Sequence, residues 1–182
     1  DDENAAALNE GRDMARYREY LHGQVQELLT QYGRIDYLFF DFTYPESRDG
    51  WAGKGPDAWD AEALLGMCRE LQPDMLVNDR LGIPADFVTP EQYQPTAPLV
   101  DEQGAPRVWE ACQTLNGSWG YHRDNTDQKS PTLLVQMLAD SVSMDGNMLL
   151  NIGPDGRGAI APRDARTLDE IGRWMLLHRD AI

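Results

Sequence analysis

The chain is 182 residues long, and its 16 lysines and arginines stand against 31 aspartates and glutamates, a formal net charge of −15. That length allows one domain with a sizeable core and excludes two large ones. The charge repels a phosphate backbone and excludes nucleic acid as a partner. No apolar stretch approaches the roughly 20 residues of a spanning helix, and the opening Asp-Asp-Glu-Asn lacks the positive start and apolar middle of a signal peptide. No membrane contact is expected.

Tyr17, Leu21, Val25, Leu28, Leu29 and Tyr32 fall at helical spacing, so residues 13–32 are predicted to form an amphipathic helix that Gly33 stops. The run Ile35-Asp-Tyr-Leu-Phe-Phe-Asp41 is short, aromatic and nearly all apolar, as expected of a strand buried on both faces of a parallel sheet. A Gly/Pro/Trp-rich loop over 42–56 precedes a predicted helix over 57–71, with Trp59, Leu64, Leu65 and Cys68 inward and Pro73 beyond its end. Asp74–Asn78 is the next predicted strand. Phe87–Thr89 is a very short one and Arg107–Cys112 another, set apart by proline-bearing loops that are long for mere connections. Ser130 as N-cap and Pro131 at the first position open a helix over 130–144, and Gly146 ends it before the strand Asn147–Ile152. The last helix runs from Pro162 toward His178.

Apolar strands alternating with amphipathic helices make this an α/β chain with parallel strands and helical crossovers, either a doubly wound sheet or part of a (β/α)8-like barrel. The long loops favour the barrel. In barrels the reactive groups gather at the C-terminal ends of the strands, where Asp41, Asn78, Asp79, Arg80, the Trp109–Tyr121 run and Asn151 all fall.

Asp41 follows a mostly apolar run, where a carboxylate is costly unless it binds something or reacts; capping of the next turn is its structural alternative. Glu91 lies on a loop at the same face, and solvation is its alternative. Glu110 sits mid-strand beside Trp109, where burial against an arginine would also explain it. Arg80 has a fork of donors suited to a sugar hydroxyl or a carboxylate, with a structural ion pair to Asp79 or a neighbour as its alternative. The Trp109–Tyr121 run sets aromatic faces beside hydrogen-bonding groups, as a sugar ring requires. Two carboxylates converging on such aromatics point to glycoside hydrolysis, which needs no metal. No metal site or other cofactor is expected, because His22, His122 and His178 are far apart in sequence and Cys68 and Cys112 read as buried thiols. Gly153-Pro-Asp-Gly-Arg-Gly158 reads as a plain turn rather than a phosphate loop, and no GxSxG elbow is present.

Tyr37-Leu-Phe-Phe-Asp41, Asn78-Asp-Arg80, Thr89-Pro-Glu91, Trp109-Glu-Ala-Cys-Gln-Thr-Leu-Asn-Gly-Ser-Trp-Gly-Tyr121, Gly146-Asn-Met-Leu-Leu-Asn-Ile-Gly-Pro154 and Ile171-Gly-Arg-Trp174 together resemble the α-L-fucosidases of glycoside hydrolase family 29. The resemblance implies a (β/α)8-like catalytic barrel and a retaining mechanism through a covalent fucosyl-enzyme intermediate. It assigns Asp41 as nucleophile and Glu91 as acid/base, with Glu110 the rival. Arg80 and Trp119 match fucose-contacting positions, and Phe39 stands where a tryptophan is often found, which keeps an aromatic wall but loses an indole donor.

By this resemblance residues 1–182 are the second half of a catalytic barrel, with the first half and the C-terminal β-sandwich absent. The rest of a fucosidase chain is then an expected partner, beside a fucosylated oligosaccharide or glycoconjugate. A non-catalytic fucose-binding module or an inactive fragment is the alternative, and the isolated 182 residues are expected to be inactive. The family's usual substrates imply a secreted or periplasmic location.

Overall fold

The computed structural model describes residues 7, 10–46 and 53–182. The chain divides into two compact units, Asp1–Phe87 and Val88–Ile182. In the first, helix α1 (Met14–Gln31) starts where Asp13 accepts a hydrogen bond from the Ala15 N–H at 2.9 Å, and Gly33, at φ 83°, carries the chain away from its far end. Only Val25 and Leu29 of its apolar stripe are buried; Tyr17, Leu28 and Tyr32 remain exposed.

Strands β1 (Tyr37–Leu38) and β2 (Leu76–Val77) are parallel, with Tyr37 opposite Leu76 and Leu38 opposite Val77. Both are much shorter than the predicted 35–41 and 74–78. The backbone at Ile35 bonds to the Gln72 side chain instead of a strand, and Phe40 bonds to the Asn78 side chain. The predicted helix over 57–71 is two: α2 (Pro56–Trp59) and α3 (Ala61–Leu71), broken by Asp60 in the left-handed conformation at φ 52°. Leu64 and Cys68 of α3 meet Val25 and Leu29 of α1 and Val77 of β2 in the core. Each such aliphatic side chain contributes about 1.5–3 kcal/mol on full burial. The loop read over 42–56 is described at 42–46 and 53–56, where Tyr44 and Lys54 pair antiparallel; 47–52 lie outside the described residues.

In the second unit, β3 (Glu110–Thr114) and β4 (Asn147–Asn151) are parallel over five pairs, from Glu110 opposite Asn147 to Thr114 opposite Asn151. The expected strand Arg107–Cys112 is thus displaced toward the C-terminus, because Gln113 and Thr114, polar residues just past its predicted end, are buried and hydrogen-bonded. The short Phe87–Thr89 prediction corresponds to single parallel bridges: Phe87 to Asn78 in the first unit and Val88 to Trp109 in the second. Helix α4 (Pro131–Ser143) opens on Ser130, whose hydroxyl accepts from the Leu133 N–H at 3.1 Å, with Pro131 at the first position. Helix α5 (Pro162–His178) packs against α4. Trp109 is 1% exposed and lies directly against Gly146, and Leu115 and Leu134 are buried with it. Among the described residues, every pairing between named strands is parallel, and α4 links β3 to β4. The α/β expectation holds at that level.

Candidate active site

Asp41 lies three residues beyond the end of β1, at its C-terminal side. Its backbone is set one residue earlier. The Asn78 side chain accepts from the Phe40 N–H and donates to the Phe40 carbonyl, each at 2.8 Å, while Asn78 itself is fully buried. Arg80, on the short 3-10 turn Asp79–Leu81, donates to Asp41 Oδ1 from Nη1 at 3.1 Å. The guanidinium also lies 5.3 Å from the centre of the Phe39 ring, which stacks at 6.4 Å with Tyr37. Arg80 is therefore held by charge on one side and an aromatic face on the other. Its side chain is 17% exposed against 41% for Asp41, so the pair faces solvent on the carboxylate side.

The backbone beyond Asp41 is fixed as well. Phe42 adopts a left-handed φ of 68°, a conformation that costs a bulky residue about 1–3 kcal/mol. Holding it there, the Thr43 hydroxyl donates to the Arg80 carbonyl at 2.6 Å and accepts from Trp59 Nε1 at 2.9 Å. Gly82, at φ 81°, keeps that contact open, since a Cβ there would stand 2.9 Å from Thr43 Cγ2. Phe39, Asp41 and Arg80 are thus brought together in one cluster.

Glu91, Glu110 and Trp119 belong to the second unit. The segment carrying Glu91 is stitched along β3: the Pro90 carbonyl accepts from the Cys112 N–H at 2.7 Å, and the Gln92 N–H donates to the Cys112 carbonyl at 2.9 Å. Glu91 is exposed and stands opposite Cys112. Glu110 is half-buried as the first residue of β3, at the strand's N-terminal end.

Beyond the C-terminal end of β3, the run from Trp109 splits into a buried half through Asn116 and an exposed half, with Trp119 at 42% and Tyr121 at 47% exposure. The exposed half is anchored at several points. Asn151, the last residue of β4, donates to the Trp119 carbonyl at 2.8 Å. A Cβ at Gly153 would meet the Gly120–Tyr121 peptide at 2.7–2.9 Å, so glycine permits the close approach. Asn125 donates to the Asn116 carbonyl, and the Lys129 ammonium donates to the Thr114 carbonyl at the root of the loop. Burial lowers the pKa of that amine.

The α-L-fucosidase sequence profile matches residues 2–180. The chain belongs to the α-L-fucosidase family. Among solved family structures, α-L-fucosidase isoenzyme 1 of Paenibacillus thiaminolyticus is 43% identical, superposes with a TM-score of 0.88, and is matched over 98% of this chain and 44% of its own. An α-L-fucosidase of Bacteroides thetaiotaomicron, captured as a trapped covalent intermediate, is 29% identical with a TM-score of 0.73 over 88% of this chain and 39% of its own. Human plasma α-L-fucosidase is 30% identical over 146 residues, covering 74% of this chain and 30% of that protein. The chain spans less than half the length of each of these relatives. The sequence pattern puts Asn78 and Asn151 at strand ends but gives neither a task, and it carries no sign of the Trp59–Thr43–Arg80 relay. A polar side chain closing an apolar run was the available signal for Asn78.

Proposed function

We propose that this chain forms part of the catalytic domain of a retaining α-L-fucosidase that releases terminal α-L-fucose from glycans, with Asp41 as nucleophile and Glu91 as acid/base. The observation that carries the reading is Asp41, held by Arg80 beside an aromatic strand end in a member of this family. The charge-assisted bond to Oδ1 fixes the carboxylate in place and orients its second oxygen for attack.

In the first step an Asp41 oxygen bonds to the anomeric carbon as the bond to the leaving oxygen breaks, and Glu91 gives that oxygen its proton. In the second, Glu91 takes a proton from water, the water oxygen attacks the anomeric carbon, and the ester to Asp41 breaks. Two inversions leave the configuration retained. Arg80, Phe39 and Trp119 contact the fucose, with the Trp119 ring against the methyl-bearing face.

The strand register favours Glu91 over Glu110. At about 3.3 Å per residue, Glu110 lies about 13 Å back along β3 from Thr114, whereas Glu91 stands opposite Cys112, nearer the strand's C-terminal end. Parallel strands with a helical connection, and site residues at their C-terminal ends, support a (β/α)8-like barrel completed by the rest of a fucosidase chain.

In the full-length protein, Asp41→Gly is expected to lower turnover of an aryl α-L-fucoside by on the order of 10⁴-fold. Azide should restore activity by entering the vacated space and yielding a fucosyl azide of inverted configuration. Undiminished turnover would sink the assignment. Glu91→Ala should spare activated aryl fucosides far more than natural glycans; that contrast at Glu110 instead would reassign the acid.

A further inference from the structure

We infer that Asn78 is a positioning residue for the nucleophile: its side chain extends the β1–β2 ladder by one residue and fixes the peptide that carries Asp41. The inference rests on the reading of Asp41 given above. Strand β2 pairs with β1 only as far as Leu38 opposite Val77. At Asn78 the main chain turns away and bridges Phe87 instead, and the Asp79 N–H donates to the Phe87 carbonyl at 3.1 Å. Phe40 is left without a strand partner at the point where the chain has to deliver Asp41.

The Asn78 carboxamide supplies what the departing backbone removes. Its oxygen accepts from the Phe40 N–H and its nitrogen donates to the Phe40 carbonyl, both at 2.8 Å, mimicking a peptide of the missing strand. The side chain is fully buried, so water does not compete for either bond. Of the small side chains, only a carboxamide presents one acceptor and one donor side by side at this reach. Asn78 also starts the 3-10 turn that bears Arg80, the partner of Asp41. One residue therefore fixes the backbone before the nucleophile and launches the cation that binds it. An error of about 1 Å in such a group costs on the order of 10²-fold in rate.

The test uses Asn78→Ala and the isosteric Asn78→Asp in the full-length protein, assayed on an aryl α-L-fucoside well below each variant's unfolding midpoint. At pH 7 kcat is expected to fall roughly 10- to 100-fold in both, with KM within about threefold of wild type. In Asn78→Asp the new carboxylate faces the Phe40 carbonyl without a proton to give. As the pH falls and it protonates, both bonds can reform, so kcat relative to wild type should climb toward unity. Asn78→Ala should show no such rise. A purely structural residue would lower the midpoint while leaving kcat and this pH-dependent recovery untouched, and that result overturns the inference.

Hydrogen exchange on the wild-type protein supplies a reading that does not require folded variants. The Phe40 amide should exchange as slowly as that of Leu38; exchange at the rate of an open loop would also overturn the proposal. If Asp41→Gly remains fully active, the underlying assignment fails. If Asp41→Gly is inactive and the Asn78 variants keep wild-type kcat, only the role of Asn78 fails.

Discussion

Replacing Gly146 by alanine should destabilise the second unit severely. Gly146 is the turn between α4 and β4, and a Cβ there would lie 2.1 Å from two carbons of the Trp109 indole. Ordinary carbon contacts are about 3.5–4.0 Å, so the ring or the turn has to move by about 1.5 Å. Neither is free to do so. The Gly146 N–H donates to the Ser141 carbonyl at 2.9 Å, the Asn147 N–H donates to the Trp109 carbonyl at 2.9 Å, and the indole N–H donates to the Met144 carbonyl at 3.2 Å. Overpacking of a core by a methyl group costs about 1–3 kcal/mol, but a displacement this large expels the ring. Loss of a buried tryptophan costs about 3–5 kcal/mol, which is the cost expected of Gly146→Ala. For a domain of 150–250 residues each kcal/mol lowers the midpoint by about 2–4 °C, giving a fall of roughly 6–20 °C. Urea and thermal melts of the full-length protein, followed by far-UV circular dichroism, read the effect directly. The same substitution made in a Trp109→Leu background should cost under about 1 kcal/mol more, because the clashing ring is gone. A single variant within about 1 kcal/mol of wild type, or additive costs, would refute the steric argument.

Thr43→Val should remove the hydroxyl joining Trp59 Nε1 to the Arg80 carbonyl, leave both short of a partner, and cost about 1–3 kcal/mol in a denaturant melt; an unchanged melt would show that the relay contributes nothing. Burial raises the Cys68 thiol pKa above its ordinary value of 9.0. Below that value the thiol is protonated whether folded or not. Above it the unfolded chain ionises first, so the stability this thiol contributes is lost as the pH rises through the folded-state pKa. Wild type should therefore lose more stability than Cys68→Ala between pH 8.5 and about 10.5. Both cysteines are buried, so a thiol reagent should label neither in the native state and both in denaturant.

Helices and their ends were legible because their signals are local. Ser130 and Pro131 start α4 as their chemistry dictates, and Gly33 leaves α1 at a positive φ. Strand limits were not, because they depend on what lies across the sheet. Phe39 and Phe40 look like strand, yet the partner of Phe40 is a side chain from 38 residues further on. Gln113 and Thr114 look like loop, yet Gln92 and the Tyr93 carbonyl take up their polar groups within β3. The break at Asp60 left no mark in the helical periodicity, and it lies directly after Trp59, whose indole N–H reaches Thr43. Within the candidate site, the identities of Asp41 and Arg80 stood out as charge at the end of apolar runs. The bonds that aim them, through Asn78 and Thr43, join residues too far apart in sequence for spacing to reveal.

The most direct test of the account is to capture the covalent intermediate. The full-length protein should be incubated with 2-fluoro-fucosyl fluoride, digested with a protease and mapped by mass spectrometry. One fluorofucosyl ester is expected, on the peptide containing Asp41, and none in Asp41→Gly. A label on any other carboxylate, or turnover of an aryl fucoside with inverted stereochemistry and no adduct, would contradict it.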